Sequence, residues 1–303
     1  MTTEDSEAQR KARRQRLRRA RERAAPSYDR SAVVPEEVGR RMLERLDLVR
    51  VPEGPMLDAG CATGVVTRLI AQRLPRTPII AMDAAATLVG RARAGTSALG
   101  RLISRWRGGA ARWIAGDLDA LPIRPSSLAM VWSNLVLQWQ ADPAATFAEM
   151  HRALKPGGLL MFSTLGPDTL KELRNAAARI GDGPHVPRFP DMHDLGDLLV
   201  HAGFADPVMD MELITLTFAD PEALLRDLKE QGSIDTLAAT DRGLKGRRAH
   251  GRLIGALEAE RRAGLIPATF EVVYGHAWKP ENGPAVAADG RQVIRIHRPG
   301  RPR

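Results

Sequence analysis

The chain has 303 residues, 44% of them apolar but only 4% aromatic, and a formal net charge of +9. Its one cysteine, Cys61, excludes an intrachain disulfide and fits a reducing, cytoplasmic setting. No apolar run approaches the ~18 residues of a membrane span, and the N-terminus lacks the apolar core of a signal peptide.

The charge sits at the ends. Residues 1–25 hold nine Lys/Arg against four Asp/Glu, and residues 288–303 hold five Arg against one Asp. These two stretches account for the whole +9, so the body between them is neutral and a nucleic-acid surface across it is not expected. Segments of this composition read as solvated, disordered tails, here 1–25 and 281–303, flanking a domain at 26–280. An arginine-rich start also suits an organelle transit peptide, but the four acids argue against one.

After Pro26 and Tyr28, a helix is expected beyond Pro35, with Val38, Met42, Leu43, Leu46 and Leu48 inward. Leu57-Asp58-Ala59-Gly60-Cys61-Ala62-Thr63-Gly64 follows, and apolar residues then recur at 65, 66, 69, 70 and 74. That pattern reads as a buried strand, a glycine turn and a helix with one buried face. Gly60 and Gly64 would let the backbone approach a ligand, and the turn amides would face a polar or anionic group. The dinucleotide fingerprint G-x-G-x-x-G is absent, because Ala62 stands at its second glycine.

Pro78 to Asp83 is the second expected strand. Asp83 ends it 19 residues after Gly64, placed to accept both hydroxyl hydrogens of a ribose. From Ala84 to Arg112 there are six arginines and no acid, which suits a landing surface for an acidic partner. The third strand and its loop lie over Ala111–Pro122. The fourth runs from Leu128 to Ser133 and ends in Asn134. Asp142 and Pro143 open a helix that reaches Leu154, and Lys155-Pro156-Gly157-Gly158 ends it before a fifth strand at Leu159–Leu165. Alternation of this kind specifies a parallel α/β sheet, whose ligands sit at the carboxyl ends of its strands. Asp58, Asp83, Asp117 and Asn134 all fall at such ends.

A helix is expected over Met192–Ala202, with two last strands over Val208–Phe218 and Thr269–Trp278. Helices at 221–230 and 247–262 between them would form a cap, about 220–265, over the ligand edge. The seven histidines show no metal spacing, and no nucleophile triad or phosphate P-loop is present.

Leu57–Gly64 resembles motif I of the class I S-adenosylmethionine-dependent methyltransferases, whose usual form has glycine at the Ala62 position. Asp83 matches their motif II acid. The resemblance implies a Rossmann-like fold: a mostly parallel seven-stranded sheet with an antiparallel last strand and a helical cap between strands six and seven. It implies S-adenosylmethionine held by Asp58, Gly60, Cys61, Ala62, Gly64, Asp83, Ala84 and Asn134, with Asp117 accepting from the adenine amino group and the Leu118 amide facing the ring.

Several stretches resemble one branch, the malonyl-carrier-protein O-methyltransferases of biotin synthesis. They are Tyr28-Asp29, Ser133 to Trp139, Phe162-Ser163-Thr164-Leu165-Gly166-Pro167-Asp168, Arg188-Phe189 and Pro267 to Trp278. The implied reaction methylates the free carboxylate of a malonyl thioester, on acyl carrier protein or coenzyme A, to prime pimeloyl synthesis. The same stretches resemble the methyltransferase-like respiratory complex I assembly factors, at least one linked to arginine hydroxylation, which is the alternative. A malonyl carboxylate is already an ionised nucleophile, so no general base is required. Arg174 is expected to pair with it and Tyr28 to close the pocket. An acidic carrier would land on the Arg91–Arg112 stretch or on Arg242, Arg247, Arg248 and Arg252.

Overall fold

A single sheet runs through the molecule with its strands in the order β3-β2-β1-β4-β5-β7-β6. They are β1 (Met56–Ala59), β2 (Ile79–Asp83), β3 (Arg112–Ala115), β4 (Leu128–Asn134), β5 (Leu154–Leu165), β6 (Ala205–Phe218) and β7 (Ile266–Trp278). The first five pair in parallel, and β7 runs antiparallel to both β5 and β6. This is the expected sheet, including its antiparallel last strand. The computed structural model describes residues 3–95, 111–181, 186–231 and 247–281. The expected landing residues Arg101, Arg105, Arg107 and Arg242, and the C-terminal tail from 282, lie outside the described residues.

The helices are α1 (Thr3–Ala24), α2 (Tyr28–Ser31), α3 (Val33–Arg45), α4 (Val65–Arg73), α5 (Ala86–Ala94), α6 (Pro143–Ala153), α7 (Lys171–Arg179), α8 (Met192–His201), α9 (Pro221–Glu230) and α10 (Arg247–Glu258). Adjacent strand residues point to opposite faces, and the core divides accordingly. On one face Met56, Met130 and Trp132 pack with Val38 and Met42 of α3 and Ile70 of α4. On the other, Leu57, Val131 and Leu160 pack with Phe147 and Met150 of α6 and Leu195 and Leu199 of α8. Three helix starts are fixed by carboxylates. Asp142 accepts from the Ala145 amide, Asp191 from His193 and Asp194, and Asp220 from Ala223.

Some boundaries differ from expectation. β5 begins at Leu154, because Lys155-Pro156-Gly157-Gly158 is taken up as an irregularity in its pairing with β4. The cap helix α9 forms over the expected residues, α10 stops at Glu258 short of the expected Arg262, and they pack against α2 and α7 respectively. The larger correction is at the N-terminus. Residues 3–24 are a helix rather than a disordered tail. Leu17, Ala20 and Ala24 recur at helical spacing and are buried, α1 packs on α5, and Ala25 joins Ala62, Ala85 and Leu88 in a small cluster.

Candidate active site

The glycine turn between β1 and α4 is a backbone requirement. At Gly60 φ is +93°, and a Cβ there would lie 2.2 Å from Val136. At Gly64 φ is +76°, and a Cβ would lie 2.4 Å from the Trp113 ring. Ala62 between them is also left-handed, with φ +47°. An L-residue there carries about 1–2 kcal/mol of strain that glycine would not.

The turn amides do not face a ligand as expected. Those of Gly60 and Cys61 donate to the Met82 carbonyl at 2.7 and 2.9 Å, and that of Gly64 to the Cys61 carbonyl. The first two fasten the end of β1 to the end of β2, and the third closes the turn on itself. The Ala62 amide donates to Oδ2 of Asp83 at 3.0 Å, and the Ala85 amide to its Oδ1 at 2.9 Å. These bonds orient Asp83 at the tip of its strand. Asp58 is buried one strand away, its Oδ2 accepting from Thr67 Oγ1 at 2.5 Å. Burial, with the Asp83 charge adding, pushes Asp58 up to about 7 against the pull of the Thr67 hydroxyl. Burial beside both carboxylates pushes the Cys61 thiol up, so it stays protonated and unreactive at neutral pH.

Three cavities meet over the carboxyl ends of β1 to β4. The largest, about 670 Å³, is walled by Gly60, Asp83, Ala84, Asp117, Leu118 and Val136 and roofed by Leu17, Arg18 and Arg21 of α1. A small cavity lies under the turn against Asp58, Cys61, Ala62, Asn134 and Tyr28. The third, about 50 Å³, is largely apolar, lined by Leu135, Leu165, Leu170, Phe189 and Phe270 with Tyr28, Gln138, Trp139 and Arg21. Arg21 and Trp139 form a wall common to the first and third. All the cofactor residues expected from sequence except Gly64 line the first two cavities. Asn134 spends its amide on structure, donating from Nδ2 to the Pro35 carbonyl and accepting from Ser163 Oγ.

Of the two residues expected to act on substrate, Tyr28 lines both smaller cavities, and burial pushes its phenol up. Arg174 lines none of the three. Its guanidinium donates to the carbonyls of Pro167 (2.7 Å) and Thr169 (3.1 Å), bracing the loop after β5. Two buried glutamates brace the same loop. Glu271 accepts from the Asp168 amide at 2.6 Å, and Glu172 accepts from the Thr269 amide and hydroxyl. The paired segments at 162–168 and 267–278 therefore build one wall of the apolar cavity.

Arg21 is the residue that sequence reasoning missed. Its Nη2 donates to Asp83 Oδ2 at 2.9 Å, and its guanidinium lies 5.9 Å from the Tyr28 ring centre. The signal that points to it is the Leu17, Ala20, Ala24 spacing, which places α1 against the body and Arg21 over the pocket. Among the described residues there is no cluster of three or more His, Cys, Asp or Glu suited to a metal, and no helix long and apolar enough to cross a membrane.

Comparison with known proteins bears on the family and the fold. The methyltransferase domain family matches residues 57–162. Over 280 residues the chain is 48% identical to the malonyl-[acyl-carrier protein] O-methyltransferase of Gallionella capsiferriformans, covering 92% of this chain and 94% of that one. It is 49% identical to the protein of the same name from Nitrosospira multiformis, over 88% of this chain and 89% of that one. Among solved structures, the YcgJ protein of Bacillus subtilis superposes with a TM-score of 0.56 at 15% identity, over 82% of this chain and all of that one. A putative methyltransferase from Bacillus halodurans gives 0.50 at 18% identity, over 78% of this chain and 97% of that one. These two likenesses concern the fold.

Proposed function

The chain belongs to the malonyl-[acyl-carrier protein] O-methyltransferases, and we infer that it transfers a methyl group from S-adenosylmethionine to the free carboxylate of a malonyl thioester. Near-complete coverage of relatives that bear this name favours methylation over the hydroxylase-like alternative. The carrier named by those relatives is the acyl carrier protein, and we take the same carrier here, in a cytoplasmic setting and with no role for nucleic acid. The product is the methyl ester that primes pimeloyl synthesis for biotin.

The site suits the cofactor. A 670 Å³ cavity is in the range of small-molecule sites. Its walls carry one oriented carboxylate, Asp83, suited to ribose hydroxyls, and Asp117 and Leu118, suited to the adenine; Asp58 lies beneath the turn, in the adjoining small cavity. When bound, S-adenosylmethionine supplies a methyl group on a sulfonium: a carboxylate oxygen forms the C–O bond as the C–S bond breaks, and the electron pair stays on sulfur.

One observation carries the choice of a carboxylate acceptor. The apolar cavity beside the cofactor cavity contains one charged side chain, Arg21, and no Asp, Glu, His or Lys among the described residues that line it. A nucleophile that must lose a proton would lack a base there, whereas a malonyl carboxylate needs only charge pairing and alignment. Alignment of this kind supplies on the order of 7–11 kcal/mol. Tyr28, with its phenol held protonated, closes the cavity from the N-terminal side. Arg174 serves the same site indirectly by fixing the 166–170 loop.

The test is incubation of the purified protein with methyl-labelled S-adenosylmethionine and malonyl-acyl carrier protein, read by mass spectrometry. One added methyl on the malonyl group, lost in Asp83→Ala, is the expected result. Absence of transfer by a protein that binds S-adenosylhomocysteine would overturn the assignment.

A further inference from the structure

Among the described residues three donors reach the Asp83 carboxylate: the Ala62 amide and Arg21 on Oδ2, and the Ala85 amide on Oδ1. A carboxylate offers about four acceptor positions, so roughly one is left over. A ribose presents two hydroxyl donors. Both fit on Asp83 only if one present donor leaves. The two amides belong to backbone that also fixes the β1 turn and the start of α5, whereas Arg21 reaches in on a flexible side chain. Arg21 is therefore the donor that can give way.

Where it would go is also visible. Arg21 lies in the wall common to the large cavity and the apolar one, is 14% exposed, and is the one charged group among the described residues lining the apolar cavity. A guanidinium detached from Asp83 in that place is a mostly buried cation that has lost its ion pair, which is unfavourable. A substrate carboxylate entering the apolar cavity would satisfy it, and the planar fork of arginine suits two-point pairing with a carboxylate. The Tyr28 ring, 5.9 Å from the guanidinium, lies at this junction and lines the apolar cavity with it.

We propose that Arg21 changes partners during the binding sequence: it is paired with Asp83 in the free protein, is displaced by the cofactor's ribose hydroxyls, and then pairs with the malonyl carboxylate. The proposal rests on the malonyl reading above. It makes binding ordered, since the cation that holds the substrate is released only when the cofactor is in place.

The experiment is calorimetric titration of the full-length protein with S-adenosylhomocysteine, malonyl-acyl carrier protein and the carrier bearing the malonyl methyl ester. In the wild type, saturation with S-adenosylhomocysteine should tighten malonyl-carrier binding about tenfold, with the reciprocal effect on S-adenosylhomocysteine. Arg21→Met should bind S-adenosylhomocysteine at least as tightly as wild type. It should bind the malonyl carrier about thirtyfold more weakly in the presence of S-adenosylhomocysteine, while its affinity for the methyl ester is unchanged. Asp83→Asn retains the arginine but removes its charged partner. This variant should bind the malonyl carrier without S-adenosylhomocysteine as tightly as the saturated wild type does.

Weaker S-adenosylhomocysteine binding by Arg21→Met, or undiminished malonyl binding, overturns the proposal. If Arg21→Met does not fold, the Asp83→Asn result decides alone, and unchanged malonyl affinity there overturns it. Failure of the malonyl reading looks different, because the wild type itself would then neither bind nor methylate the malonyl carrier.

Discussion

Asp58 is a carboxylate whose neighbours do not repay its loss of water. Among the described residues one short hydrogen bond, from Thr67, and no cation face it, and its pKa is pushed up to about 7 from the usual 3.8. A raised carboxyl pKa means that the folded state holds a proton the unfolded state has released. Between about pH 4 and 7 this residue's contribution to stability therefore falls as pH rises. Asp58→Asn keeps the acceptor for Thr67 and removes the titration. Urea unfolding of the cofactor-free proteins at pH 5 and pH 8 should show the wild type losing roughly 2–4 kcal/mol relative to Asp58→Asn across that range. An unchanged difference between the two proteins would mean that Asp58 is ionised throughout. The strand-end acids were legible in the sequence because each closes an apolar run before a turn. The pairing of Asp83 with Arg21 was not, because it joins residues 62 positions apart through a helix whose composition resembles a solvated tail.

Among the elements, α1 shows how composition can hide an amphipathic signal. Four exposed arginines, Arg16, Arg18, Arg19 and Arg23, surround a narrow stripe of Leu17, Ala20 and Ala24. The stripe is small, so the helix is held by few apolar contacts, and its arginines are trypsin sites. Leu17→Asp would bury a carboxylate beneath α1, a cost of about 2 kcal/mol or more. Limited trypsin digestion should then cut within α1 about thirtyfold faster, because cleavage follows the population of the opened form. Equal rates would show that Leu17 does not anchor the helix. The loop braced by Arg174 makes the converse point. Its sequence was legible as distinctive, and the buried contacts of Glu172 and Glu271 explain why those segments come as a pair. The task given to Arg174 was not legible, since an arginine on a helix after β5 can reach a cavity or a backbone carbonyl at the same spacing. Arg174→Ala removes two hydrogen bonds to carbonyls, about 1–3 kcal/mol of loop order. It should raise KM for the malonyl carrier severalfold while leaving S-adenosylhomocysteine affinity within about twofold.

At the scale of the whole molecule, the alternation of strands and helices carried the fold, whereas the charge was legible only as a sum. Folding changes what half of that charge means. The N-terminal +5 is carried largely by a helix that roofs the large cavity and lies against α5, which adds exposed Arg91 and Arg93. The helix over the entrance to the site thereby carries a formal positive charge, although the body of the protein is neutral. An acidic carrier protein approaching that entrance would be steered by charges that remain exposed to salt, and screening acts within about 10 Å at 0.1 M ionic strength. Raising ionic strength from about 0.05 to 0.3 M should therefore increase KM for malonyl-acyl carrier protein several times over. For malonyl-pantetheine, which meets the buried part of the site without the carrier's surface, KM should move much less. Charge reversal at Arg91 and Arg93 should reproduce the salt effect at low ionic strength for the carrier alone. Equal responses of the two substrates would place the electrostatic contribution inside the cavity, at the carboxylate, and remove the surface of α1 and α5 from carrier recognition.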